Sequence, residues 1–470
     1  MIMRKPVLAL SLLAMASATQ AQTALRPDQA AFRELYKELV ETNTSYSGKG
    51  CTKAADQLAT RLKAAGFAGS DVQVLEAPGH PGEGSLVAVL KGTSKSLKPM
   101  LLLGHIDVVE AKREDWTRDP YTLIEEGGYF YARGTADDKA MSAMWADSLI
   151  RFKQQGYAPK RTIKMALTCG EESNGIALNG AQWLAENRPE LISAAFALNE
   201  GGGGRTEKDG TRSMLAIQVG EKATRTFVLE TTNPGGHSSV PRPDNAIADL
   251  ARAVTAVQSL RFPVMLNDTT RAFFSQLAPA RPKPGQDMIA RLLANEQDDE
   301  AAMALSAEPV LNSTMRTTCV TTMLNAGHAP NALPQRARAT VNCRIVPGMS
   351  AEQTQQGIEK AIANPSVKVT LETPFRPMAV QPPMDPKLIG PMKELAAKMF
   401  PGVPLIPTMV TGATDATYTG LIGIPTYGVP GIFGDVDGNG AHGLNERIRV
   451  QSVYEGRDYL HSLVKTLSSR

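Results

Sequence analysis

Residues 100–109 read MLLLGHIDVV. The apolar start is short and does not alternate with polar residues, which suits a strand buried on both faces of a sheet. Three other stretches have this texture: LVAVLKG (86–92), TIKMALTCG (162–170) and AAFALNE (194–200). Each is apolar and bounded by turn residues. Between them, residues 140–155 and 177–187 read as helices. Strands alternating with helices predict an α/β sheet covered by helices.

Further along, the texture changes. Residues 216–232, AIQVGEKATRTFVLETT, show partial period-two alternation, and 243–260 read as a helix. Residues 278–309 are helical in composition, with PARPKPG as punctuation near their start. Residues 316–323 and 337–345 again suit strands around an Asn/Pro-rich turn. After about residue 376 the α/β texture returns, with helices at 386–399 and 451–468 and strands at 405–411 and 426–431. The pattern predicts one α/β domain, residues 22–217 and 376–470, interrupted by an α+β domain at 218–375.

The polar residues fall in a pattern. His105 ends the strand at 100–109, with Asp107 two residues on. Glu171 and Glu172 directly follow TIKMALTCG, and Glu200 ends AAFALNE before four glycines. In YFYARGTADDKAMSAMW (129–145), Asp137, Asp138 and Lys139 stand where a strand-like run turns helical. Charged residues are rarely buried unless paired or bound to a metal. Ligands of open α/β sheets bind beyond the carboxyl ends of the strands. A Glu–Glu pair alone is ordinarily a solvated loop, but several acids and a histidine at strand ends outweigh that reading. Carboxylates gathered at one edge repel unless a cation neutralises them. Imidazole with carboxylate suits zinc, with cobalt or manganese tolerated. The acids and two histidines suffice for two metals sharing one carboxylate, a hydrolytic arrangement with metals roughly 3.5–4 Å apart. His442 (GNGAHGLNE) and His237 (NPGGHSSVP) lie in glycine-rich loops, while His80, His328 and His461 read as ordinary hydrogen-bonded groups.

In their order along the chain, GHIDVV, YARGTADDKA, GEES, LNEGGG, NPGGHSSVP and GNGAHGLNE resemble the dizinc exopeptidase family of aminoacylase, glutamate carboxypeptidase and succinyl-diaminopimelate desuccinylase. The run HIDVV, EDW, YARGTADDK most resembles the branch of Gly-Xaa carboxypeptidases and N-fatty-acyl-amino-acid hydrolases. The resemblance spans most of the chain and is weak across residues 261–318. It implies a mixed-sheet catalytic domain with an inserted α+β lid of the dimerisation type. It further implies two zinc ions, with His105 and Glu200 on one, Glu172 and His442 on the other, and Asp137 bridging. Asp107 would orient His105, Glu171 would be the general base, and the Asp137–Asp138 peptide is expected to be cis. In the lid, His237 matches a group that polarises the substrate carbonyl. Asn331 and Arg344, in NALPQRARATVNCRIVPG, match groups that meet the substrate, arginine offering a fork for a free carboxylate. The sequence departs from the family pattern at Gly170 and Ala140, and Thr417 stands where many relatives have arginine.

Lys and Arg total 50 against 47 Asp and Glu, a net charge of +3, with no long basic block. Neither a nucleic acid nor a membrane partner is expected. Residues 1–21 carry Arg4 and Lys5, a short apolar core and Thr19-Gln20-Ala21, the pattern of a secretory signal. An exported, periplasmic or secreted protein is expected. Four cysteines, Cys51, Cys169, Cys319 and Cys343, allow three full pairings. Cys319 and Cys343 flank Asn331 at twelve residues on either side and would face each other across a hairpin, read here as two buried thiols in adjacent strands. The expected activity is cleavage of an amide next to a free carboxylate, as a carboxypeptidase on short peptides or an N-acyl-amino-acid amidohydrolase. A catalytically silent binding protein of the same fold is the remote alternative, and a homodimer through the lid is expected by analogy.

Overall fold

The computed structural model describes residues 25–173, 178–429 and 431–470; the expected leader at 1–21 lies outside them. The strand Met100–His105 occupies the middle of a large mixed sheet. It runs parallel to Ile163–Thr168 on one side and Phe196–Asn199 on the other, and Phe196–Asn199 runs parallel to Thr426–Gly428. Successive residues of the first strand serve opposite faces. Met100 and Leu102 join a core with helices Pro27–Glu41, Cys51–Ala64, Lys139–Gln154 and Val450–Ser468. Leu101 and Leu103 join the core on the other face, with Gly180–Asn187 and Ala416–Leu421. Burial on both faces explains the unbroken apolar run. Each fully buried leucine contributes roughly 1.5–3 kcal/mol.

Because these strands are parallel, their carboxyl ends share one edge. His105 closes its strand, and Glu171 and Glu172 begin a short helical turn after Ile163–Thr168. Glu200 follows Phe196–Asn199. Gly170 makes the sharp turn before Glu171. Its φ is +94°, and a Cβ there would lie 2.2 Å from the carbonyl oxygen of Leu178. The side chain that many relatives carry at this position has no room in this chain.

The alternating stretch at 216–232 divides between two strands. Arg212–Glu221 stays in the large sheet, where Leu405–Val410 runs parallel to it. After Lys222 the chain enters a separate antiparallel sheet, ordered Thr318–Ala326, Arg336–Ile345, Ala223–Thr232, Val367–Leu371. Ala223–Thr232 alternates buried with half-buried residues, as expected when helices Ala246–Ser259 and Ala351–Ile362 cover one face. The weakly recognisable segment 261–318 forms four short α-helices. Their core, including Phe274, Ile289, Leu292 and Leu311, packs on Ile406 of the large sheet.

The cysteine reading needs correction. Cys319 and Cys343 are register partners in adjacent strands, as the hairpin spacing suggests, but they form a disulfide and not two thiols. Direct opposition brings the sulfurs together. The second disulfide joins Cys51, at the start of a helix, to Cys169, just before the Glu171 turn. It closes a separation of 118 residues.

Candidate metal centre

Three strand ends and two loops build one cluster. His105 is buried, with Nε2 at 3.2 Å from Oδ1 of Asp137 and 3.7 Å from Oε1 of Glu200. The other oxygen of Asp137 lies 3.2 Å from Nε2 of His442, and that nitrogen is 2.7 Å from Oε1 of Glu172. Asp137 therefore stands between two histidines, one carboxylate oxygen to each. The Asp137–Asp138 peptide is cis. Asp107 braces the opposite side of His105. Its carbonyl oxygen is 3.1 Å from Nδ1 of His105, and its carboxylate accepts the backbone N–H groups of Glu171 and Glu172 at 3.2 and 3.0 Å. One residue, through its carbonyl and its carboxylate, thus ties the first strand end to the second.

The donor set fits divalent cations. Burial first, and neighbouring acids with it, push the carboxyls of Glu200 and Asp138 well above their ordinary range against the pull of His105. Burial raises Glu171 to about 7, with Arg376 opposing and Asp415 adding to the rise. Acids packed this way keep their charge when cations lie among them. His105, Asp137 and Glu172 offer ligand atoms within 4.8 Å of one another, and so do His105, Glu171 and Glu200. Glu171 is the exception in chemistry, because one of its oxygens is engaged by a guanidinium, Nη1 of Arg376 at 2.7 Å. Asp138 keeps one buried oxygen without a hydrogen-bond partner.

Sequence reasoning missed Glu446, which holds this cluster, and a second buried acid, Glu221. Glu446 is fully buried. One of its oxygens accepts the backbone N–H groups of Ala136 and Asp137 at 2.8 and 3.0 Å. The other accepts from the Gly134 N–H at 2.9 Å and from the Arg133 guanidinium at 2.8 Å. It lies four residues after His442 within the quoted GNGAHGLNE run, so its place in a motif was a usable signal. Glu221 had no such signal. It ends its strand buried, accepting from Thr414 N–H at 3.0 Å and from the Thr417 hydroxyl at 2.6 Å. Thr417, at the position where many relatives have arginine, thus points into the protein. Lys139, which the sequence reading named beside Asp137, is buried, its ammonium donating to the carbonyl of Thr42 at 2.8 Å.

The remaining predicted site residues lie on the small sheet, outside hydrogen-bond reach of the cluster among the described residues. His237 is exposed in a two-residue strand paired with Ala332–Leu333, its Nδ1 accepting from the Ser239 hydroxyl at 2.7 Å. Asn331 is exposed beside it, its carbonyl accepting the Ser238 N–H at 3.1 Å. Arg344 is half-buried at the other end of the sheet, opposite Thr224, whose hydroxyl accepts from its Nη1 at 2.5 Å. The strand pair runs from Thr224↔Arg344 to Thr232↔Arg336. Eight steps at about 3.4 Å separate its ends by about 27 Å.

A parallel sheet edge carrying paired histidines and acids around a shared aspartate defines a metal-dependent hydrolase. Comparison with known proteins gives the family. The pattern of Peptidase family M20/M25/M40 matches residues 101–466. The chain is 30% identical over 388 residues to a Dictyostelium discoideum protein named "Probable carboxypeptidase S-like 2", covering 81% of this chain and 74% of that one. It is 29% identical over 399 residues to a human N-fatty-acyl-amino acid synthase/hydrolase, covering 82% and 77%. Among solved structures, the M20 family metallo-carboxypeptidase Sso-CP2 from Sulfolobus solfataricus superposes with a TM-score of 0.69 at 19% identity, covering 94% of this chain and all of that one. The chain belongs to peptidase family M20/M25/M40 and is a hydrolase of peptide or amide bonds. Among the described residues, no helix is long and apolar enough to cross a membrane.

Proposed function

We propose that this protein is an exported dizinc hydrolase that cleaves an amide next to a free carboxylate, acting as a carboxypeptidase on short peptides. The observation that carries the reading is Asp137, set between His105 and His442 with Glu200 and Glu172 on its two sides. His105, Asp137 and Glu200 would hold one cation, and Asp137, Glu172 and His442 the other. Zinc suits this donor set, with cobalt or manganese tolerated. Bound there, the metals supply Lewis acidity and lower the pKa of water towards 7. Glu171 takes the proton of the attacking water and returns it to the leaving amine nitrogen. Asp107 keeps the His105 ring and the Glu171 turn in register.

The small sheet acts as the lid. Arg344 would clamp the substrate carboxylate, and His237 would donate to the developing oxyanion, with Asn331 beside it. Arg344 stands at one end of the strand pair and His237 in the two-residue ribbon past its other end, so a site holding both would take that tip from a second chain. A homodimer through that domain supplies it. The two disulfides suit an oxidising compartment and support export.

One observation favours a second reading, an N-acyl-amino-acid amidohydrolase. A cavity of about 290 Å3 opens beside Asp137 and Glu200, with Met141, Ile432, Phe433 and Ile448 among its walls. Asp435, Arg447 and Arg449 line it as well, and its apolar side suits an acyl chain. The deciding experiment is a hydrolysis screen of zinc-loaded protein on dipeptides and on N-acyl amino acids, with zinc titrated into the apoprotein. Two equivalents of zinc and turnover of dipeptides are expected. Turnover confined to N-acyl amino acids selects the second reading, and a plateau at one zinc or none removes the dinuclear site.

A further inference from the structure

Glu171 has a partner that neither the ligand set nor the proposed chemistry uses. Arg376 donates through Nη1 to Oε1 of Glu171 at 2.7 Å and through Nη2 to the carbonyl oxygen of the same residue at 2.9 Å. One planar fork thus fixes both the carboxylate and the main chain beneath it. A lysine ammonium, a single charge centre, has no such two-point geometry. The side chain of Arg376 is largely enclosed, its guanidinium 5.7 Å from the ring of Tyr418.

The other end of this contact leads to the small sheet. Arg376 lies between the small-sheet strand Val367–Leu371 and the helix Pro386–Met399, whose Met392 and Ala396 pack in the large-sheet core. It therefore stands on a chain crossing between the two bodies. Its carbonyl accepts from Nη1 of Arg225 at 2.8 Å, and the Arg225 guanidinium lies 4.3 Å from the ring of Phe375. Arg225 belongs to Ala223–Thr232, opposite Cys343 in the register. An unbroken line of contacts runs from the small sheet through Arg225 and the Phe375–Arg376 backbone to the carboxylate of Glu171.

We propose that Arg376 is a positioning residue that aims Glu171, and that the small sheet holds Arg376 in place through Arg225. The placement of the lid then sets the geometry of the base. This inference rests on Glu171 acting as the base. A base displaced by 1 Å can lose about 100-fold in rate, so the link converts lid position into turnover without touching a metal ligand.

The test uses the full chain with Arg376→Ala, Arg376→Lys, Arg225→Ala, Glu171→Gln and the Arg376→Ala/Glu171→Gln double variant. With zinc loaded, Arg376→Ala should lower kcat by roughly 10- to 100-fold on a substrate acid and its carboxyl-amide alike. KM and zinc content should stay near wild type, Arg376→Lys should recover only part of the rate, and Arg376→Ala should cost nothing further in the Glu171→Gln background. A KM increase confined to the free acid would make Arg376 a substrate clamp and overturn the proposal. So would a loss that adds fully to that of Glu171→Gln. Amide hydrogen exchange on the apoprotein reads the same link without turnover. Arg376→Ala and Arg225→Ala should both speed exchange across residues 171–173 while Ile163–Thr168 stays protected, and unchanged exchange at 171–173 overturns the inference. A wild type that hydrolyses no amide defeats the functional reading, while exchange still decides the role of Arg376.

Discussion

The two sheets carry the predicted site residues in opposite ways. On the large sheet the candidate ligands are held in place by the fold itself: His105 is braced by Asp107, and Asp137 hangs from backbone groups gathered by Glu446. On the small sheet the candidate substrate groups are exposed or turned aside. The His237 ring accepts from Ser239 in its own loop, and Arg344 is parked on Thr224. Rigid parts suit metal binding, where ligand geometry is demanding. Loosely held parts suit groups that act only once a substrate has drawn the bodies together.

The sharpest way to break this contrast is Glu171→Gln. The amide keeps the shape but accepts no proton, so kcat should fall at least about 10²–10⁴-fold with two zinc equivalents retained. Glu172→Gln should instead weaken zinc binding. If calorimetric zinc titration and kinetics show these phenotypes exchanged, the assignment of base and ligand is reversed.

Next in size is Arg344→Ala. Losing a charge-assisted pair in a closed site should cost roughly 2–5 kcal/mol in kcat/KM for substrates with a free carboxylate. Carboxyl-amidated substrates should change little. Equal losses on both members of an acid and amide pair would remove the clamp.

His237→Ala should lower kcat on every substrate, because an oxyanion donor acts in the transition state. If a second chain supplies this residue, co-refolding His237→Ala with Glu171→Gln should restore a measurable fraction of wild-type rate, since one site of the mixed dimer has both groups intact. No recovery, with mixed dimers verified by mass, would place His237 in its own chain's site.

The smallest effect should come from the disulfide within the small sheet. Cys319→Ser/Cys343→Ser should cost about 2–4 kcal/mol in denaturant unfolding of that body. Zinc stoichiometry should be unchanged, because the proposed ligands belong to the large-sheet body. Loss of zinc along with stability would show that the two bodies are not separable in this way.

The sequence by itself determined the sheet with its buried strands and the acids and histidines at their ends. A strand covered on both faces must be apolar throughout, and a polar residue at its carboxyl end breaks that texture visibly. Ordered motifs did the rest, down to the cis peptide beside Asp137. Arg376 stands in a stretch with no pattern to mark it, and it reaches Glu171 only because the chain crosses back there from the small sheet to the large one. The sequence texture sets the domain boundary at 217/218, whereas the chain changes sheets at Lys222, because alternation is local and does not say which sheet a strand joins. The bond between Cys319 and Cys343 and the placing of Arg344 and Arg336 at opposite ends of one strand pair depend on register, which pairs residues far apart in the chain. Only the tertiary structure decides such distances, because hydrogen bonds between strands and not spacing along one strand fix which residues meet.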